Sequence, residues 1–313
     1  MSYSPPPLHQ FAHFSTIIPN RFRPVPHLGF KRETVNTADD DFIDLDISAV
    51  GGKSAALLLH GLEGSSKSNY IIGMSQMLNS MGMDAVAMNF RSCSGRVNRQ
   101  MESYHSGKSD DVRLILNHLK SRYNIIHLIG FSLGGNVALK YAGESSESLV
   151  KSVSAISVPF DLAGSSQKLG EFQNRIYLHR FLSQLKSKAI YKCYLNPSYP
   201  LDVKAIKSSK TFYEFDEFYT APVHGFESAD DYYQKSSSKQ FIKNISAPTL
   251  IINAMNDSFL SPSCYPFEEA NTNSNVQLLT PEYGGHVGFA SNFRMTQPFW
   301  HEKQVAVFIR ELA

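Results

Sequence analysis

Residues 125–141 read Ile125-Ile126-His127-Leu128-Ile129-Gly130-Phe131-Ser132-Leu133-Gly134-Gly135-Asn136-Val137-Ala138-Leu139-Lys140-Tyr141. An apolar run as long as a buried strand leads into a serine between glycines, and helix-favouring residues follow. This order of strand, tight turn and helix raises a nucleophilic serine above a sheet. Larger side chains at Gly130 and Gly134 would collide with the strand and the helix. The stretch therefore predicts Ser132 as a nucleophile at a helix N-terminus, and the alternative is a purely structural turn.

Further short apolar runs alternate with helical patterns along the chain, at residues 55–59, 84–90, 150–158, 248–253 and 276–279. Runs of this kind indicate buried parallel strands joined by crossover helices. Before them, residues 32–36 and 42–47 are typical of an antiparallel hairpin. We therefore expect an α/β domain with a mostly parallel central sheet and helices on both faces.

Residues 161–225 interrupt this alternation, because they separate two predicted strands by more than a simple crossover needs. They combine helical periodicity with many aromatic residues, which favours an inserted helical cap, although ordinary core helices would give a similar pattern. Residues 1–30 show no clear period and are interpreted as an arm lying over the domain. The predicted organisation is an arm at 1–30, a core at 31–160 and 226–313, and a cap at 161–225.

The composition limits the classes of binding partner and the cellular compartment that we expect for this protein. The net charge is +2 with Lys and Arg scattered, which argues against nucleic-acid binding. Three cysteines without a C-x-x-C pair indicate a reducing compartment, and we expect a cytoplasmic protein. The first residues lack the pattern of a signal peptide, and no apolar run is long enough to span a bilayer. Peripheral contact with a membrane stays open.

A nucleophilic serine needs a base and an acid, which in folds with this serine turn follow it in the order acid, then histidine. His286 lies in a glycine-rich loop after the strand at 276–279 and is the expected base, while His301 is expected on the surface. Asp257 follows the preceding strand and is the expected acid. Asp161, after an earlier strand, is the alternative, and either carboxylate could simply cap a loop.

The loop His60-Gly61-Leu62-Glu63-Gly64-Ser65 follows the first central strand. A loop of this type supplies one backbone N–H to an oxyanion, and the residue after the nucleophile supplies another. We therefore expect the main-chain N–H groups of Leu62 and Leu133 to form the oxyanion hole. His60 is expected to support this loop rather than react, and Glu63 either shapes the entrance or is solvated.

Assembled, these motifs resemble the YheT-like branch of the α/β-hydrolases, which is related to the plant EMB-type proteins and the ABHD-type lipases. The matching stretches span nearly the whole chain: His13 to Thr16, His60 to Ser65, Asn89 to Gly95, Asn98-Arg99, Tyr104 to Gly107, Gly130 to Asn136, Tyr219 to Phe226, Ala229 to Tyr233, Asn256 to Phe259 and Gly284 to Phe289. Two of them depart from the family pattern. Ser92 stands where glycine is expected, and Asn256 and Ser258 flank Asp257 where D-D-P is expected.

The resemblance implies the α/β-hydrolase fold and a catalytic triad carried by Ser132, Asp257 and His286. It also implies esterase-type activity on small-molecule ester or lipid-like substrates. We expect hydrolysis of carboxylic esters through an acyl-enzyme with an apolar acyl group, without a metal or other cofactor. The alternatives are thioester or amide hydrolysis or acyl transfer by the same triad, or a non-catalytic ligand-binding module on the same scaffold.

Polar residues at 89–107 follow a strand on the side where such folds bind ligands. They either line the substrate pocket or brace their own loop by hydrogen bonds, and bracing is slightly favoured. Cys93 is a poor candidate nucleophile, because no strand-turn-helix motif surrounds it.

Overall fold

A computed structural model describes residues 3–312 and contains one eight-stranded sheet in the order β1-β2-β4-β3-β5-β6-β7-β8. Strands β1 and β2 form an antiparallel hairpin, β2 pairs antiparallel with β4, and all later pairs are parallel. The strands are Lys31–Asn36 (β1), Phe42–Ser48 (β2), Ser54–Leu59 (β3), Asp84–Asn89 (β4), Ile125–Phe131 (β5), Val150–Ile156 (β6), Thr249–Ile252 (β7) and Val276–Leu279 (β8). The predicted mostly parallel sheet is confirmed.

The α-helices are Ala12–Phe22 (α1), Asn69–Ser80 (α2), Ser109–Leu119 (α3), Leu133–Glu144 (α4), Leu162–Gly170 (α5), Arg175–Leu195 (α6), Val203–Ser208 (α7), Phe212–Phe215 (α8), Ala221–Val223 (α9), Ala229–Ser236 (α10), Phe267–Thr272 (α11) and Trp300–Glu311 (α12). A π-helical turn, Asp216–Thr220, joins α8 to α9. Short 3₁₀ turns lie at Pro7–Gln10, Phe172–Asn174, Ser238–Asn244 and Pro262–Cys264. No helix of residues 3–312 is both long and apolar enough to cross a membrane.

Helices cover both faces of the sheet, as predicted. Strand β3 illustrates the cause, since Leu57 and Leu59 pack with α3 and α4 whereas Ala56 and Leu58 pack with α2 and α12. A strand whose alternating side chains are all buried needs an apolar layer on each side. This explains why its sequence is a continuous apolar run.

The N-terminal segment contains a helix that the sequence did not predict. Helix α1 places Ser15, Thr16 and Pro19 against the domain and leaves Ile17 and Phe22 exposed. Its buried face is largely polar, so the usual apolar period of an amphipathic helix is missing. The polar side chains Ser15 and Thr16 point inward because they form hydrogen bonds with the backbone of residues 284 and 286.

The expectation that His301 lies on the surface is wrong. Its side chain is fully buried, and its ring packs near those of Phe131, Phe289 and Phe299. Helix α12 turns residues 301, 305, 308 and 309 towards the sheet, and His301 occupies the first of these inward positions.

The segment between β6 and β7 carries helices α5 to α10. Side chains of α6 to α9 form an apolar cluster of their own, separate from the two clusters that flank the sheet. Leu62, in the loop after β3, packs against this cluster as well as against the core. The helical segment therefore lies directly over the carboxyl ends of the strands.

Candidate active site

Ser132 sits at a strained turn between β5 and α4. Its backbone has φ +52° and ψ −121°, a region that residues with a Cβ rarely adopt. A Cβ on Gly130 would lie 2.3 Å from the carbonyl oxygen of Gly134, and one on Gly134 would lie 2.4 Å from that of Leu59. The turn thus accepts only glycine at both flanking positions.

Ser132, His286 and Asp257 form a continuous chain of hydrogen bonds. The Ser132 Oγ lies 2.9 Å from His286 Nε2, and His286 Nδ1 lies 2.8 Å from Asp257 Oδ2. The Asp257 side chain is fully buried and also accepts a hydrogen bond from the backbone N–H of Phe259. Because Nδ1 donates to the carboxylate, Nε2 is free to accept the serine proton.

The ring of His286 is held from several sides. The Phe259 ring stacks on it with a centroid separation of 4.2 Å. The backbone N–H of His286 donates to Thr16 Oγ1 at 2.9 Å. The backbone N–H of the next residue, Val287, donates to Ser157 Oγ. Ser15 Oγ donates to the carbonyl of Gly284 in the same loop. Helix α1 therefore supports the histidine loop, a role that sequence reasoning missed.

Asp161, the alternative acid, is engaged elsewhere. Its carboxylate accepts from the backbone N–H of Gly164 at 3.1 Å and so caps helix α5. It also accepts from Ser263 Oγ at 2.6 Å. Of the two carboxylates, Asp257 is therefore the one in contact with His286.

The loop after β3 closes over Ser132 from the other side. A Cβ on Gly61 would lie 3.1 Å from that of Ser132. The N–H groups of Gly61 and Glu63, on either side of Leu62, donate to the hydroxyls of Tyr70 and Tyr104. These two tyrosines orient the peptide that carries the Leu62 N–H.

Leu133 is the first residue of α4, where backbone N–H groups have no partner within the helix. The two predicted oxyanion donors therefore lie in segments that contact the serine, Leu62 in the loop after β3 and Leu133 at the start of α4. Among residues 3–312, neither the Leu62 N–H nor the Leu133 N–H has a hydrogen-bond acceptor.

Glu63 neither faces solvent nor stands alone. Its side chain is 4% exposed, and its carboxylate lies 2.8 Å from Lys188 Nζ of α6 and accepts from the Tyr104 hydroxyl at 2.7 Å. Lys188 also lies 3.5 Å from Cys93 Sγ. Burial raises the pKa of the Cys93 thiol to about 12, so this cysteine is a poor nucleophile.

His60 supports the loop, as expected. Its Nε2 accepts from the backbone N–H of Phe90, and its Nδ1 donates to the carbonyl of Gly61. Burial lowers the pKa of His60 to about 4, which keeps the ring neutral and preserves this pattern.

Some polar residues of the segment at 89–107 brace their own loop, and others line the central cavity. Arg91 is buried and forms ion pairs with Asp111, Asp39 and Asp41. Asn98 fixes the same loop through the carbonyl of Glu102 at 2.7 Å. Other members of the segment line the central cavity: Ser92, Ser103, Tyr104, His105 and Ser106.

Ser132 and His286 lie at the floor of a cavity of about 770 Å³. Its apolar wall comes from the helical segment, the arm and the loop after β7: Ile17, Leu162, Leu169, Phe181, Leu185, Phe212, Phe215 and Phe259. A site of this size and lining suits a small molecule with a substantial apolar part.

The model of the alpha/beta hydrolase fold family matches residues 57–293. The chain belongs to this family. It is 32% identical to the putative esterase YheT of Escherichia coli over 94% of this chain and 88% of that protein. It is 26% identical to phospholipase ABHD3 of Bos taurus over 92% of this chain and 73% of that protein. These similarities confirm the resemblance drawn from the motifs.

Solved structures agree on the fold. The esterase Pf2001 of Pyrococcus furiosus superposes with a TM-score of 0.61 at 17% identity, over 92% of this chain and 98% of that one. The chain is thus an α/β hydrolase with esterase-like and lipase-like relatives.

Proposed function

We propose that this protein hydrolyses carboxylic esters with an apolar acyl group through an acyl-enzyme intermediate. The observation that carries the proposal is the hydrogen-bonded chain of Ser132, His286 and Asp257 at the floor of an apolar cavity. Relatives named as an esterase and a phospholipase support ester chemistry.

In the proposed reaction, Ser132 Oγ attacks the ester carbonyl while His286 Nε2 takes its proton. Asp257 holds the ring and stabilises its charged form. The N–H groups of Leu62 and Leu133 donate to the carbonyl oxygen as it gains charge. His286 then protonates the departing alcohol, and water releases the acid by the same steps.

We further propose that residues 161–225 act as a cap that supplies the acyl-binding wall, over a core of residues 31–160 and 226–313. The arm at 1–30 would steady the His286 loop through Thr16. A cytoplasmic setting is in keeping with the three unpaired cysteines.

The test is hydrolysis of p-nitrophenyl esters of increasing acyl length. Ser132→Ala should lower kcat by about four orders of magnitude or more, and Asp257→Asn by about three to four. Asp161→Asn is the matched control, since asparagine also caps helices, and it should retain activity. The preferred acyl length reports the size of the pocket.

Two further measurements complete the experiment. The first is labelling of Ser132 by a fluorophosphonate, and the second is turnover of thioester and amide substrates. The ester proposal fails if the wild type cleaves none of the esters. If the fluorophosphonate labels Ser132 and the protein cleaves only thioesters or amides, the triad serves thioester or amide hydrolysis instead. No labelling and no turnover would favour a binding module.

A further inference from the structure

Most residues that line the cavity are buried or half-buried, and the exposed ones mark its rim. Within residues 3–312 the exposed lining residues are Ile17, Arg21, Phe22, Lys67 and Arg180. This set, called the rim from here on, combines three cations with two apolar side chains and contains no carboxylate. The proposed ester chemistry uses none of the three cations.

Three segments that adjoin one another supply the rim: helix α1, the loop before α2 and helix α6. The Asn69 side chain donates to the backbone carbonyl of Asn20 at 3.0 Å, which ties the loop before α2 to α1. His13 Nδ1 lies 3.0 Å from the hydroxyl of Tyr177, which ties α1 to α6. The rim therefore lies on connected elements around one opening.

The positive charges of the rim are not neutralised by the protein itself. In the part of the chain that the structure describes, the side chains of Arg21, Lys67 and Arg180 form no ion pair and no hydrogen bond. The two carboxylates that line the cavity, Glu63 and Asp216, are not part of the exposed rim. Because the net charge of the whole chain is only +2, these three cations are a local concentration at the mouth of the cavity.

The apolar side chains of the rim project into solvent beside these cations. Phe22 is 63% exposed and Ile17 is 41% exposed. Ile176, which is 77% exposed, lies one helical turn before Arg180 on α6 and extends the same face. A single exposed apolar residue is ordinary on a protein surface. Exposed phenylalanine and isoleucine interleaved with Lys and Arg are typical of surfaces that lie in the headgroup region of a bilayer.

The combination of charge and apolar surface selects the occupant. A second copy of this chain is a poor fit, because two rims placed face to face would bring like charges together. A free anion would pair with the cations but would leave the apolar side chains in water. An anionic bilayer complements both, since its headgroups face the cations and its acyl layer receives the apolar side chains.

We propose that the rim docks this protein on the surface of an anionic lipid bilayer, with the mouth of the cavity facing the membrane. Arg21, Lys67 and Arg180 lie among the headgroups, and Phe22 enters the boundary with the acyl chains. An apolar molecule then passes from the bilayer into the cavity without crossing water. The inference goes beyond the proposed ester chemistry, because it concerns where the protein binds and not which bond it breaks.

The docking surface is tested by flotation of the Ser132→Ala protein with lipid vesicles, so that no ester is cleaved while binding is measured. Vesicles of phosphatidylcholine alone are compared with equal mixtures of phosphatidylcholine and phosphatidylglycerol. At low salt the anionic vesicles should bind about a hundredfold tighter, with each cation contributing about fivefold. Added salt should weaken this preference. Replacing Arg21, Lys67 and Arg180 together with Gln should remove most of it.

A matched control removes the same charge elsewhere. Lys31, Lys243 and Lys303 are exposed, form no ion pair within residues 3–312 and do not line the cavity. Replacing these three with Gln should change binding to anionic vesicles less than about threefold, because only nearby charges act through salt. Phe22→Gln should weaken binding to both kinds of vesicle about threefold to tenfold. With Ser132 intact, every variant should keep the thermal unfolding and the p-nitrophenyl butyrate turnover of the wild type, since the altered side chains are exposed.

Several results would overturn the proposal. Equal binding to anionic and neutral vesicles would do so, as would equal losses in the rim variant and the control variant. A higher KM of the rim variant for a p-nitrophenyl ester that carries a carboxylate, with vesicle binding unchanged, would assign the cations to an anionic group of the substrate. Self-association of the wild type that Phe22→Gln abolishes would assign the rim to a second copy of the chain.

The docking surface and the ester chemistry fail independently. An inactive wild type whose Ser132→Ala variant still prefers anionic vesicles would reject the esterase and keep the docking surface. An active wild type whose Ser132→Ala variant binds neither kind of vesicle would keep the esterase and reject the docking surface.

Discussion

The ion pair between Glu63 and Lys188 links helix α6 to the loop that carries the Leu62 N–H. Glu63 has a left-handed backbone with φ +53°, and its side chain is 4% exposed, against 31% for Lys188. Replacing Lys188 with Met keeps the length of the side chain but removes the cation. The carboxylate then retains only the Tyr104 hydroxyl as a donor.

The expected loss can be worked from this geometry. Removing one partner of a fully buried pair costs about 3–5 kcal/mol, and water reaching the half-exposed lysine side reduces this to about 2 kcal/mol. If about half of the loss disturbs the Leu62 N–H in the transition state, kcat falls roughly fivefold. The KM for a short ester should change little, because the donor acts on the developing charge.

Urea unfolding and ester kinetics measure the two effects. Glu63→Gln in the Lys188→Met background should recover about 1 kcal/mol or more, since no unpaired charge stays buried. Lys235→Met, which breaks the exposed pair with Asp231, is the control and should cost less than about 0.5 kcal/mol. A loss in Lys188→Met as small as in this control, or no recovery in the double variant, would refute the reasoning.

Three further changes test other parts of the structure. Gly134→Ala would place a Cβ 2.4 Å from the backbone oxygen of Leu59, so we expect a loss of several kcal/mol and no fluorophosphonate labelling; a stable, labelled variant would contradict the turn geometry. Lys192 Nζ donates to the carbonyls of residues 100, 101 and 102, so Lys192→Met should cost about 2–3 kcal/mol in urea unfolding, and an unchanged midpoint would exclude an anchoring role. Burial lowers the pKa of His301 to about 3 from 6.5, so the unfolded chain binds the extra proton and stability falls as the pH drops below 6.5. At pH 4.5 this amounts to about 3 kcal/mol, and His301→Phe should remove that part of the acid sensitivity between pH 7.5 and 4.5; equal sensitivity of both proteins would argue against a buried neutral ring.

Features that depend on neighbouring residues were predictable. The turn at Ser132 was predictable from its two flanking glycines, because a Cβ on Gly130 would clash with Gly134, four residues on. The clash of a Cβ on Gly134 with the Leu59 carbonyl depends instead on the pairing of β3 with β5. The parallel strands follow from continuous apolar runs, because a strand buried on both faces has no polar side. The glycine-rich loop of His286 and the loop of Leu62 could be assigned from their positions after strands.

Other features depend on which distant segments meet. Asp161 and Asp257 both follow strands, and the sequence favoured Asp257 only from its place before His286; the contact itself comes from the order of β6, β7 and β8 in the sheet. His301 was expected on the surface because it lies beside Trp300 at the start of the C-terminal helix, and only packing on Phe131 and Phe289 buries it.

The arm shows the same division. Helix α1 turns Ser15 and Thr16 inward because the backbone of the His286 loop offers hydrogen bonds there, so its sequence lacks an apolar period. The pairing of Glu63 with Lys188 likewise joins segments far apart in the chain. Local steric clashes and the burial pattern of each strand can be predicted from the sequence. Contacts across the cavity form only when the sheet and the helices above it bring distant loops together.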